Sequence, residues 1–371
     1  MKWKKMPFTE VFKDASGGNQ KTPTSELRES GSLAIVDQGK DLVAGYIDDQ
    51  TRACKQPPPV IIFGDHTRAL KFIDFPFGMG ADGTKVLVPK IESDTKFLFH
   101  YLRSREVPSA GYSRHFKFLK EYQIPLPPLA EQKRIAAILD AADALRAKRQ
   151  QALAHLDDLL QSTFLTLFGD PVTNPMGWEQ VELSELIETG DKINYGVVQP
   201  GEEFPGGKPL VRVGDFVSGD LDKTSIKYID PEIEKKYSRS RLNGRELLVS
   251  CVGSVGTISK VPAWAKGFNI ARAVARVPLK KDLSRDFMLF CLRSQAVQRY
   301  FLKETRTVSQ PTLNIGLIKT VSVISPPLPL QQRFAAIVGK IEAQKSRHRA
   351  HLAELDTLFA SLQSRAFSGE L

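Results

Sequence analysis

Apolar or small residues at Ile135, Ile138, Ala142, Leu145, Ala152, Leu156 and Leu159 advance mostly by threes and fours, as do Phe334, Ile337, Ile341, Leu355, Leu358 and Leu362. That spacing puts them on one helical face and makes a heptad seam in each segment. Both seams turn polar at the same place, at Arg149 and His348, as a register-setting interruption does. Paired prolines precede each helix and mark its start, and Phe168-Gly169-Asp170-Pro171 ends the first. About 35 residues at 1.5 Å each give rods of roughly 50 Å. Matched seams argue that the two helices pack on each other; the alternative is that each is buried against its own domain. Short apolar runs such as Val60-Ile61-Ile62-Phe63, Val86-Leu87-Val88, Leu210-Val211-Arg212-Val213 and Leu247-Leu248-Val249-Ser250 read as strands between turn signals. The runs from Phe97 to Ser104 and from Phe287 to Ser294 read as helices with a shared Leu-Arg-Ser end.

The pattern is duplicated. Pro127-Pro128-Leu129 with Gln132, Arg134 and Ala136-Ala137-Ile138 returns as Pro326-Pro327-Leu328 with Gln331, Arg333 and Ala335-Ala336-Ile337, at a constant offset of 199 that continues to Phe168 and Phe367. A fainter echo at offset 175 relates Trp3 to Trp178 and Gly39 to Gly214. A period this long excludes a solenoid repeat and predicts a tandem copy of domain plus helix. The segments are 1–126, 127–170, 171–325 and 326–371: two mixed α/β parts (α/β or α+β class), each followed by a long helix.

With 42% hydrophobic and 25% charged residues, the 371-residue chain is expected to be globular, with two or three domains. No apolar run approaches the roughly 20 residues that cross a bilayer, and Met1-Lys2-Trp3-Lys4-Lys5 is followed by nothing resembling an export signal, so no membrane role and a cytoplasmic location are expected. Scattered Cys54, Cys251 and Cys291 fit a reducing compartment. The net charge of +10 favours a polyanionic partner. The helical segments sum to −1 and +2, so +9 lies in residues 1–126 and 171–325, where an anion should bind.

Catalytic patterns fail their context. Gly78-Met79-Gly80-Ala81-Asp82-Gly83 satisfies a cofactor-loop pattern, but the strand-like Thr84-Lys85-Val86-Leu87-Val88-Pro89 follows where a helix is required. Gly253-Ser254-Val255-Gly256 lacks the glycine spacing of a nucleophile elbow and reads as a turn between strands. His66 has no spaced Cys or His partner, so no metal site is expected. A P-loop is absent.

Three stretches carry a resemblance. Residues 125–139, 326–338 and Phe-Gly-Asp-Pro-Val-Thr-Asn-Pro-Met-Gly-Trp at 168–178 are similar to the specificity subunit of type I restriction-modification systems, and the order of parts resembles that family along the whole chain. Leu330 stands where the first copy has Glu131, a departure that alters a helix-start contact. The resemblance implies two target-recognition domains separated by an antiparallel pair of conserved helices, a coiled coil with internal pseudo-two-fold symmetry. Each domain would read one half of a split site in double-stranded DNA, the helices fixing the spacing. It further implies two methyltransferase (modification) subunits that bind S-adenosylmethionine and flip an adenine, and restriction/translocase subunits that use ATP and Mg. No cofactor is implied for this chain, which would be non-catalytic. The competing readings are a basic RNA-binding or assembly scaffold and an enzyme with a degenerate site.

Base reading needs Arg, Lys, Asn, Gln, Ser or His on loops. The candidates in the first domain are Asn19, Gln20, Lys21, Arg52, Lys55, His66, Arg68, Tyr112, Ser113, Arg114 and His115. Those in the second are Lys192, Asn194, Tyr195, Gln199, Arg212, Arg272, Arg306, Ser309, Gln310 and Asn314, with His115 and Asn314 matched at offset 199. On the helices, Gln132, Arg134, Ile138, Leu156, Gln331, Arg333, Ile337 and Leu355 are the candidate partner contacts.

Overall fold

A computed structural model describes residues 3–109, 111, 113–217, 219–305 and 312–371. The chain forms two compact units, one made of Met1–Gln151 and Arg349–Leu371, the other of Ala152–His348. Both long helices are shared between them. The division falls within a few residues of Arg149 and His348, where the apolar spacing breaks.

The first unit opens with β1 (Lys4–Pro7), α1 (Phe8–Val11) and β2 (Phe12–Asp14), followed by β3 (Leu33–Val36), β4 (Gly45–Ile47), β5 (Val60–Gly64) and β6 (Leu70–Ile73). It continues through β7 (Phe77–Met79), β8 (Thr84–Pro89), α2 (Thr95–Arg103), α3 (Phe116–Leu119), β9 (Gln123–Leu126) and the first part of α4 (Leu129–Phe168). Its sheets have the orders β2-β8-β5-β6 and β4-β3-β7, with a β1-β9 ladder beside them. Strand β5 is buried on both faces, Ile61 and Phe63 in a core with α2 and α4 and Val60 and Ile62 in a second core with β3 and β7, which is why it reads as an unbroken apolar run rather than an alternating one.

The second unit repeats this plan. It contains β10 (Gln180–Glu182), β11 (Asn194–Tyr195), β12 (Lys208–Val211), β13 (Lys227–Ile229), α5 (Pro231–Lys235), β14 (Leu247–Ser250), β15 (Ile258–Lys260), β16 (Asn269–Ile270) and β17 (Val274–Val277). Helices α6 (Arg285–Arg293), α7 (Gln295–Glu304) and α8 (Ile315–Lys319), strand β18 (Ser322–Ile324) and the start of α9 (Leu328–Ser368) complete it. The orders β11-β17-β14-β15, β13-β12-β16 and β10-β18 match the first unit strand for strand, including one parallel pair in each, β3 with β7 and β12 with β16. The duplication read from the helices therefore extends through domains whose sequences have drifted apart.

The repeated glutamine is a clasp. Gln132 is buried, accepts a hydrogen bond from the backbone N–H of Asp94 at 2.9 Å and donates to the Pro127 carbonyl at 2.8 Å. Gln331 does the same between Ser284, at 3.2 Å, and Pro326, at 2.9 Å. Asp94 and Ser284 cap α2 and α6, so each glutamine satisfies a donor that the cap leaves over. This corrects the expectation of Gln132 and Gln331 as partner contacts, since their amides are spent inside the chain.

The seam also needs correction. Ile135, Ala142, Phe334 and Ile341 are buried as expected, but Leu145, Leu159 and Leu358 are exposed, and Leu139, Leu160, Phe164 and Val338 lie in the core instead. A straight helix drifts by about 20° per heptad, so one fixed frame cannot follow the buried face over its whole length. Each helix portion also packs on its own α/β part as well as on the other helix. Within the first unit Arg146 meets Asp356 at 2.7 Å and Arg134 reaches the Leu371 carbonyl at 2.7 Å; within the second, Lys345 meets Asp157 at 2.6 Å and Phe164 packs on Phe334. In both units α4 and α9 run antiparallel. Ile138, Leu156, Ile337 and Leu355 are half-buried, while Arg134, paired with Glu131, and Arg333 are exposed. No helix among the described residues is long and apolar enough to cross a membrane.

Candidate nucleic-acid interface

The shared topology makes four segments of each domain equivalent: the stretch after β2 or β11, the turn from β5 to β6 or β14 to β15, the loop from β7 to β8 or β16 to β17, and the loop before α3 or α8. In the first domain these segments are stitched together. Gln38 donates to the Asp82 carbonyl at 2.9 Å, accepts from the His66 N–H at 3.2 Å, and offers its own carbonyl to Thr67. Lys21 pairs with Asp82. Asp65, itself buried, accepts from the Phe116 N–H at 2.8 Å through its side chain and from the His115 N–H at 2.8 Å through its carbonyl. The Gln20-Lys21, His66, Asp82 and Ser113-Arg114 segments thus share one edge. Neither Gln38 nor Asp65 was singled out by the sequence, because a lone Gln or Asp in a loop carries no spacing signal.

Exposure and hydrogen bonding separate the candidates. Gln20, Lys21, Lys55, Arg68 and Arg114 are exposed, and His66 and Ser113 are half-buried. Arg68 holds φ at 64° in the β5–β6 turn, a conformation uncommon for an arginine, and donates to the Val107 carbonyl at 3.1 Å. Three expectations fail here. Asn19 spends its amide on the Ala15 and Ser16 carbonyls and on the Lys55 N–H. The Arg52 guanidinium is neutralised by Glu26 at 2.5 Å and Asp49 at 3.4 Å. His115 is 1% exposed, with Nδ1 3.0 Å from the Asp65 carbonyl, so it supports the loop rather than reaching a base. Tyr112 lies outside the described residues.

In the second domain Lys192, Gln199 and Arg272 are exposed. Asn314 is exposed too and caps α8 by accepting from the Leu317 N–H at 2.9 Å. Three further expectations are corrected. Asn194 donates to the Arg239 carbonyl and accepts from Arg276, so its amide is structural. The Tyr195 hydroxyl donates to the Leu313 carbonyl at 3.0 Å, and burial pushes its phenol above the ordinary range; it fixes the loop before α8. Arg212 is held by buried Asp215 at 3.0 Å and by the Ser225 carbonyl at 2.7 Å. Arg306, Ser309 and Gln310 lie outside the described residues.

The glycine motifs have packing roles. Residues 80–83 connect β7 to β8, with no helix following. A Cβ on Gly80 would sit 2.5 Å from that of Asp37, and one on Gly78 2.6 Å from Ile35 Cδ1, so these glycines let β7 approach β3. Gly253 and Gly256, both at positive φ, turn the chain from β14 to β15 as the spacing predicts. Cys251 and Cys291 are buried, and desolvation pushes both thiols up to about 12. Among the described residues no group of three or more His, Cys, Asp or Glu side chains is placed to hold a metal ion.

Residues 1–155 and 175–356 match the family model of the type I restriction modification DNA specificity domain. The chain is 29% identical over 326 residues to the Type I restriction enzyme EcoBI specificity subunit of Escherichia coli, covering 77% of this chain and 68% of that one. It is 22% identical over 360 residues to a putative type I restriction enzyme specificity subunit of Haemophilus influenzae, covering 92% and 88%. Its fold is similar to that of the S subunit of a type I restriction-modification system from M. genitalium, with a TM-score of 0.61 at 16% identity over 98% of this chain and 96% of that one.

Proposed function

Because the chain belongs to the type I restriction-modification DNA specificity family, we propose that it reads duplex DNA as a two-part sequence, each α/β domain reading one part. The observation that carries this is the strand-for-strand duplication, which gives each domain an equivalent set of four segments bearing exposed cationic and amide side chains. The repeated helices are the element that would set the separation of the half-sites. Adenine methylation with S-adenosylmethionine is assigned to two methyltransferase subunits and ATP-driven cleavage to restriction subunits, so this chain supplies recognition and no catalytic group. A docking face for the methyltransferase subunits is suggested on the first unit, where Leu145 and Leu358 are exposed beside half-buried Leu355.

The experiment is a pair of variants in the assembled complex. Arg68→Ala with Arg114→Ala should relax one half-sequence, and Arg272→Ala with Asn314→Ala the other, at about 1–3 kcal/mol per lost base contact. Selection from random duplexes reads the result. If either pair changes both half-sequences, the division of labour is wrong; tight binding to structured RNA with no duplex preference would favour the RNA scaffold.

A further inference from the structure

The exposed charge of the second domain includes a segment that the reading edge does not use. Residues 235–245 carry Lys235, Lys236, Arg239, Arg241 and Arg245, all exposed. The segment is anchored from below. Buried Glu234 grips Arg241 through two contacts at 2.6 and 2.7 Å, and buried Asn269 donates to Glu234 at 2.9 Å and to the Tyr237 carbonyl at 3.0 Å. Ser240 donates to Asn269 at 2.6 Å, and the Arg241 carbonyl accepts from Arg276 at 3.2 Å. One acid thus neutralises Arg241, while Lys235, Lys236, Arg239 and Arg245 form no ion pair among the described residues. The backbone is ordered before any ligand arrives, so binding there costs little conformational entropy.

Its neighbours are the reading segments. Ile233 and Tyr237 pack with Val197, Leu210, Ile229 and Ala271 in one small core, which seats α5 beside the stretch holding Gln199 and the loop holding Arg272. Asn194 ties the Arg239 carbonyl to β11, whose next residue, Tyr195, holds the Leu313 carbonyl. The corresponding connection of the first domain, residues 48–59, differs: its Arg52 is paired with Glu26 and Asp49, and Asp48 takes Arg28.

We infer that residues 235–245 are a clamp for the DNA phosphate backbone, flanking the edge by which the second domain reads bases and supplying more sequence-independent affinity than the first domain's connection, where Lys55 is the one exposed cation outside an ion pair among the described residues. The inference rests on the reading of the chain as a duplex-DNA binder. Lysines act as point charges on phosphate and carry no base code, and each neutralised phosphate contributes about 0.9 to the slope of log K against log salt.

The test measures binding of the full chain to a random-sequence duplex across a salt series. Lys235→Gln/Lys236→Gln/Arg239→Gln should flatten the slope by about 2.7, weaken all duplexes alike, and leave the selected sequence and the melting temperature unchanged. Lys235→Arg/Lys236→Arg/Arg239→Lys should restore the slope. A wild-type slope in the triple Gln variant overturns the clamp alone, as does a loss confined to one half-sequence, which would make these residues base readers. Failure of the unsubstituted chain to bind duplex DNA overturns the clamp and the functional reading together.

Discussion

Phe334→Ala is expected to destabilise the second unit by about 3–5 kcal/mol, a large share of the 5–15 kcal/mol typical of a domain. Phe334 is fully buried at the start of α9, with ring centroids 5.6 Å from Phe164, 5.5 Å from Phe168 and 5.2 Å from Phe290, all edge-on. Removing the ring opens a cavity where α4, α6 and α9 meet and deletes three aromatic contacts at once. The denaturation midpoint of the full chain reports the loss, and Phe334→Leu should lose less. A cost under about 1 kcal/mol would show that this cluster does not hold the helices to the second domain. The first unit joins the equivalent helices with polar contacts: Lys96 of α2 pairs with Asp140 of α4 at 2.7 Å, and His100, whose imidazole is pushed below its ordinary range by burial, lies 2.8 Å from the same carboxyl. Burial raises the Asp140 carboxyl, but these two partners outweigh it and hold it below the usual range.

Arg276→Ala should cost a comparable amount, about 3–5 kcal/mol, for an electrostatic reason. Arg276 is 5% exposed on β17; it pairs with Asp191 and, at 3.1 Å, with fully buried Glu246. Glu246 also accepts from the N–H groups of Asn243, Gly244 and Arg245, but with Arg276 gone it would be a buried carboxylate without its cation. Arg276→Met with Glu246→Gln should recover part of the loss, because no net charge is then left buried. If the single and double variants melt alike, within about 0.5 kcal/mol, the pair is not coupled and the argument fails.

Much of the architecture is legible in the sequence because its signals are periodic or repeated. The two long helices, their proline starts, the β14–β15 glycine turn and the duplication all follow from spacing alone. What spacing cannot carry is the use to which a polar side chain is put. Asn19, Asn194 and Arg212 look like base readers by type, yet each is consumed by partners up to 82 positions away, such as the Arg276 that takes Asn194. Gln132 and Gln331 were visible as a repeat, but a clasp on a helix cap and a contact to another subunit leave the same trace in one sequence. The 235–245 segment itself holds five bases and no acid, but Asp230, Glu232, Glu234 and Glu246 flank it closely in sequence, and only the burial of Glu234 and Glu246 shows that they do not cancel its exposed positive face.

The central claim is that two equivalent domains read two separate half-sequences. Base-resolution sequencing of methylated adenines in DNA exposed to this chain together with its methyltransferase subunits tests it most directly. The account predicts one motif of two defined half-sequences separated by a gap of fixed length, whose halves change one at a time when the loops of one domain or the other are altered. A single uninterrupted motif, or methylation with no sequence preference, would contradict it.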